Sequence, residues 1–148
     1  MTAAGVIALS GCTAGVMDIC ATGGVMRAQG VPFVRVLRFV ASGVLGGAAL
    51  EGRAGTAAIG LALHFLIAGL WAFVYYAAAD TWPALVGWPV MWGAVFGVVV
   101  HLVMSRIVVP LSRAARRPFA WKAWLTQLVI HVVCVGVPIA VVQSYLMR

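Results

Sequence analysis

Between Arg53 and Asp80 the chain carries 26 consecutive residues without a charge, and runs of 25 follow between Asp80 and Arg106 and between Lys122 and Arg148. A helix needs about 20 apolar residues to cross the hydrocarbon core of a bilayer. The three runs therefore predict spans over residues 56–79, 88–109 and 124–146. An N-terminal run over residues 3–26 is broken only by Asp18 and makes a fourth span. Lipid offers the backbone no hydrogen bonds, so each segment must satisfy its own amides and forms a helix. Four segments are too few for a membrane barrel. The expected fold is all-α: one polytopic transmembrane domain over residues 1–148, with four helices in an antiparallel bundle.

Composition agrees. Of the 148 residues, 64% are hydrophobic and 9% are charged, against about 25% charged in a soluble domain. That excludes an ordinary globular enzyme and a disordered tail. Leu9-Ser10-Gly11-Cys12 matches a lipoprotein cleavage box in letters. However, no Lys or Arg precedes it and the apolar stretch before it is short, so cleavage is not expected.

The charge is unbalanced, with ten basic residues against three acidic and a net of +7. Nine of the ten basic residues lie in two connections. Arg27, Arg35, Arg38 and Arg53 mark the first, and Arg106, Arg113, Arg116, Arg117 and Lys122 the third. The second connection, near Asp80–Gly87, has none. Basic loops stay cytoplasmic. The pattern predicts a bacterial inner-membrane protein with both termini on the periplasmic side. Arg35, Arg38, Arg113, Arg116, Arg117 and Lys122 are expected to meet anionic lipid headgroups, which explains the basic excess without nucleic acid. Trp82, Trp88 and Trp92 suit the outer interface, and Trp121 and Trp124 the inner one.

The first connection has structure of its own. Pro32 opens an apolar stretch in which Arg35, Arg38 and Ser42 recur at helical spacing. Pro favours the first turn of a helix, so residues 32–50 predict a short amphipathic helix on the inner leaflet, or a re-entrant dip bent at Gly43, Gly46 and Gly47.

Four ionisable groups sit inside the spans, one per helix: Asp18, His64, His101 and His131. Each is eight or nine residues from the expected cytoplasmic end of its helix, or about 12–14 Å deep at 1.5 Å per residue. Small residues share their stripes. Gly93 and Gly97 lead to His101, Gly60 and Ala68 flank His64, and Gly11, Gly15 and Thr22 accompany Asp18. Such stripes let helices approach closely and turn the polar group into the bundle.

Three chemistries follow. An Asp beside His residues is a proton relay. The three histidines are also candidate metal ligands, and two of them on facing helices suit axial ligation of haem. Each polar residue can instead simply hydrogen-bond a neighbouring helix as an accessory subunit would use it. Cys134, Thr22 and Tyr75 are secondary candidates. No Gly-x-Ser-x-Gly, phosphate-binding loop or His-Glu-x-x-His occurs, and no enzymatic activity is expected. A homo-oligomer or a partner membrane subunit is expected, and the little volume so short a chain encloses disfavours a full alternating-access transporter.

Several stretches carry a family likeness. They are Val16-Met17-Asp18-Ile19, Ala41 through Gly46, His64-Phe65-Leu66-Ile67, Met104 through Ser112, Arg117-Pro118-Phe119 and His131 through Ala140. Together they resemble small four-span bacterial inner-membrane proteins, similar in style to YagU-like proteins. The resemblance implies four helices and an inner-membrane location, and it supplies no activity. Asp18, His64 and His131 fall within the matching stretches, whereas His101 falls just outside.

Overall fold

The computed structural model describes residues 1–115 and 118–147, so Arg116 and Arg117, two of the expected lipid contacts, lie outside the described residues. Four helices are long and apolar enough to cross a membrane: α1 (Ala3–Ala28), α3 (Ala54–Thr81), α5 (Pro89–Leu111) and α6 (Trp121–Met147). Each overlaps an expected span. Between them lie α2 (Phe33–Leu45), a 3-10 turn over Gly47–Glu51 and the short α4 (Ala84–Gly87). No strand forms among the described residues.

Local signals account for the ends. The Thr2 side chain accepts a hydrogen bond from the Gly5 amide and caps α1. Pro32 caps α2 at its start. Gly46 closes α2 with φ of 82°, a left-handed value open to glycine, so the anticipated bend lies at that glycine.

Both α5 and α6 widen into a π turn, over Met104–Val108 and His131–Gly136. Each turn directly precedes a proline environment, Pro110 and Pro138. A proline lacks an N–H and its ring crowds the carbonyl four residues earlier. The widened turn relieves that conflict without ending the helix.

Packing is inside-out relative to a soluble protein. The main core is largely small: Ala14, Ala72, Ala79 and Ala140, joined by Val100, Ile139 and Tyr75. Leu66, Leu70, Val90 and Val129 are at least 60% exposed on the outer surface. Large apolar side chains gain nothing by leaving lipid for the bundle interior, so close backbone packing holds the helices together. One tight joint is between α5 and α6. A Cβ on Gly136 would collide with the Gly93 carbonyl and the Gly97 backbone, and one on Gly97 would overlap His131 and Val132. At the α1–α3 joint, a Cβ on Gly11 would lie 2.9 Å from the Gly69 Cα.

Two expectations change in detail. Gly60 does not join a stripe facing another span, because a Cβ there would strike the Leu37 carbonyl of α2. Helix α2 is thus seated closely on α3. Ser42, placed by spacing with the polar residues of α2, is fully buried with Leu37 and Ala41. It donates to the Phe39 carbonyl at 2.6 Å and accepts from the Ala115 amide at 3.2 Å, which ties α2 to the connection between α5 and α6. Arg35 remains exposed.

If the α5–α6 joint depends on bare backbone, Gly136→Ala lowers stability by about 1–3 kcal/mol, the usual cost of overpacking. Gly24→Ala, which meets nothing within 4 Å, leaves it unchanged or raises it. Thermal unfolding in detergent measures both.

Candidate functional site: a polar layer in a cavity open at one end

Contacts between helices sort into levels. Near the chain termini, the Gln143 amide donates to Ser10 Oγ at 3.0 Å and to the Ala72 carbonyl at 2.8 Å. Farther along α1, Asp18 meets His64. Farther still, Thr22 donates to Gln127 Oε1 at 3.3 Å. As α1 advances from Ser10 to Thr22, its partners retreat from Gln143 to Gln127 and from Ala72 to His64. This descending register brings residues remote in sequence to one depth.

At the middle level lies a cavity of about 430 Å³ whose lining includes Asp18, His64, His101 and His131. All four expected polar residues therefore share one chamber. Its walls are otherwise mostly apolar and include Trp71, Phe119 and Trp124. Ala14, Gly15, Ala68, Val100 and His101 are buried at its inner end, whereas Pro118, Phe119, Ala120 and Ala123 are exposed at its mouth. The chamber thus opens toward the basic connections. Toward the termini it is shut by the Gln143–Ser10–Ala72 lock and by Tyr75, which donates to the Leu85 carbonyl at 3.1 Å.

The polar groups form two sets of neighbours. His64 Nε2 lies 2.8 Å from the Gly15 carbonyl. A carbonyl only accepts, so this nitrogen carries hydrogen and donates. Close approach at Gly15 makes the contact reachable, since a Cβ there would meet the Phe65 ring at 2.8 Å. The other nitrogen, Nδ1, faces Asp18 Oδ2 at 3.9 Å. His131 Nδ1 lies 2.7 Å from the Gln127 carbonyl and by the same logic donates, leaving Nε2 as a lone pair in the neutral ring. The His131 and His101 rings lie 5.2 Å apart between centroids, and His101 meets the Trp124 ring edge-on at 4.7 Å. His64 thus meets Asp18, and His131 meets His101, which meets Trp124; both groups of neighbours line the one cavity.

Several of these atoms are buried without a protein partner: Asp18 Oδ1, both ring nitrogens of His101 and Trp124 Nε1. His101 is only 3% exposed. Native proteins rarely leave buried polar atoms unpaired, and a cluster of them bordering one cavity is a functional signature.

The histidines do not converge as a metal-binding set. Among the described residues no group of three His, Cys, Asp or Glu side chains is placed to hold a metal ion. His64 is engaged with Gly15 and Asp18, and His101 and His131 face each other. Nor does the structure fit haem clamped between two axial histidines. The His101 and His131 rings are nearly in contact, and the space at Gly93 and Gly97 on the same helix face is filled by the backbone of α6.

The secondary candidates separate. Thr22 lines the cavity and is tied to Gln127. Cys134 is a half-buried free thiol outside the lining. Tyr75 belongs to the closed end, edge-on to Phe96 at 4.9 Å. Trp124 is also displaced from its expected role. It turns onto His101 inside the cavity, while Trp82, Trp88 and Trp121 remain 65–70% exposed. Gln127 and Gln143 lie beyond a count of ionisable groups, and a side-chain amide inside a charge-free run is the sequence signal that marks them.

No family model matches the chain, and neither a curated protein nor a solved structure is similar to it.

The one-sided chamber predicts asymmetric labelling. With Cys12, Cys20 and Cys134 replaced by Ala, a thiol at Ala123→Cys reacts readily with a small methanethiosulfonate reagent. The near-isosteric Ser10→Cys, behind the lock, stays protected by at least tenfold in rate.

Proposed function

We propose that this integral membrane protein exchanges protons at a site inside the bilayer, reached from the basic-loop end. The observation that carries the proposal is the orientation of His64. Its Nε2 hydrogen is committed to Gly15, so Nδ1 faces the Asp18 carboxyl at 3.9 Å, an ion-pair separation at which a proton resides on one group or the other. Without that proton, a nitrogen lone pair and a carboxylate would oppose one another. With it, the pair is either an imidazolium beside a carboxylate or an imidazole beside a carboxylic acid. An unpaired carboxylate at mid-membrane costs about 2.5–3.5 kcal/mol on insertion scales, so proton occupancy and stability of the bundle are linked. His131 and His101 extend the path along the cavity. The lock at Ser10, Ala72 and Gln143 blocks the far side, which favours proton uptake and release on one side over a continuous pore.

In this proposal the protein is a bacterial inner-membrane protein with an antiparallel four-helix bundle. Basic loops face the cytoplasm, both termini face the periplasm, and α2 lies at the inner interface with Arg35 and Arg38 near anionic headgroups. A C-terminal alkaline phosphatase fusion is then active, and a fusion in the connection after Leu111 is inactive. The reverse pattern inverts the topology.

The proton site is tested by infrared difference spectroscopy of reconstituted protein across a pH change. Only three acidic side chains are present, so carboxyl bands can be assigned by substitution. A carboxyl band that titrates, disappears in Asp18→Asn and shifts in His64→Gln is the expected result. No titrating band, or one untouched by Asp18→Asn, overturns the proposal.

A further inference from the structure

The cavity holds more than a proton path requires. A relay needs polar groups in file. This chamber adds about 430 Å³ of volume, within the 300–1,000 Å³ range typical of small-molecule sites. Its polar atoms gather at the deep end and its mouth is apolar, a division that suits an amphipathic guest.

The chemistry of the guest can be narrowed. Among the described residues the lining holds Asp18 and no Lys or Arg, and Arg106 packs on the Phe119 and Trp124 rings at 5.9 Å without joining the lining. An anionic head such as a fatty-acid carboxylate would face the Asp18 carboxyl, so a neutral head suits the lining. The walls include Trp71, Phe119, Trp124 and the imidazoles, whose faces and edges suit a flat ring. Trp124 Nε1 is a donor with no partner, and His101 offers one donor and one acceptor, both without partners. Asp18 Oδ1 is a further unpartnered acceptor or donor, depending on its proton. Carbonyl oxygens on a ring would accept from Trp124 and His101. Hydroxyl groups on the same ring would donate to the imidazole or the carboxyl. The mouth lies between α2, at Val36, Phe39 and Val40, and the segment Pro118–Ala120.

We propose that this chamber binds a lipid-soluble quinone or quinol, with its ring oxygens on Trp124 and His101 and its apolar tail leaving past Phe39 and Phe119. The inference uses the same cavity as the proton site but rests on its volume, its walls and its unpartnered atoms, not on proton exchange.

Calorimetric titration of the protein in lipid nanodiscs with decylubiquinone tests it, with empty nanodiscs subtracted. Saturable binding is expected at one site per chain. Trp124→Phe, which keeps the ring and deletes the N–H, weakens it about two- to tenfold, the value of one buried hydrogen bond. His101→Phe, which fills the space and removes both nitrogens, weakens it further. Thermal unfolding of each variant verifies its fold. If His101→Phe fails to fold, Trp124→Phe and a ligand control still decide. Decylbenzene, which has the tail and ring but no oxygens, binds at least tenfold more weakly. Heat no greater than in empty nanodiscs, equal binding of decylbenzene, or no change in Trp124→Phe overturns the inference. A titrating Asp18 band without quinone binding overturns this inference alone. Quinone binding without that band overturns only the proton reading.

Discussion

Inside a bilayer a polar group has no solvent to fall back on, and that constraint organises this molecule. It makes the long apolar runs helical, because only a helix satisfies its own backbone. It also places the side-chain amides and hydroxyls. Ser10 and Ser42 bond to carbonyls of their own helices, and Gln143 reaches across to Ser10 and Ala72. Toward the termini these bonds tie the helices together, although Gln143 Oε1 itself has no partner. At Asp18, His101 and Trp124 the unpartnered atoms border a cavity.

Close packing supplies the other half of the design. Apolar side chains have little to gain by leaving lipid, so the helices must fit through backbone contact. The glycine joint between α5 and α6 does this where Gly93, Gly97 and Gly136 interlock. One consequence is that His101 lies against His131 with no gap for a metal-bearing macrocycle. A second is that the α1–α3 joint at Gly11 and Gly15 exposes the Gly15 carbonyl to His64. The glycine stripes thus set the imidazole orientations.

Much of the site was legible in order but not in pairing. Counting from helix ends put Asp18, His64, His101 and His131 near one depth, and all four line one chamber. The count worked because helical rise is constant. It could not say which imidazole faces which partner, since that depends on helix rotation and on the π turn that begins at His131. Trp124 shows the same limit. Its position near a span end suited an interfacial anchor, but the rotation of α6 turned it onto His101. Spacing likewise grouped Ser42 with the arginines of α2, whereas contact with the connection after α5 buried it.

The amino-acid sequence by itself determined that this chain is helical and that four segments can span a membrane. The reason is that hydrophobic length and charge placement are properties of the chain alone. It also determined which ionisable groups would be forced into the apolar interior. Only the tertiary structure decided how those groups pair, that the chamber is open at one end and locked at the other, and which atoms remain without partners. Those outcomes depend on rotation, register and close approach of helices distant in sequence, and periodicity carries no information about the facing surface.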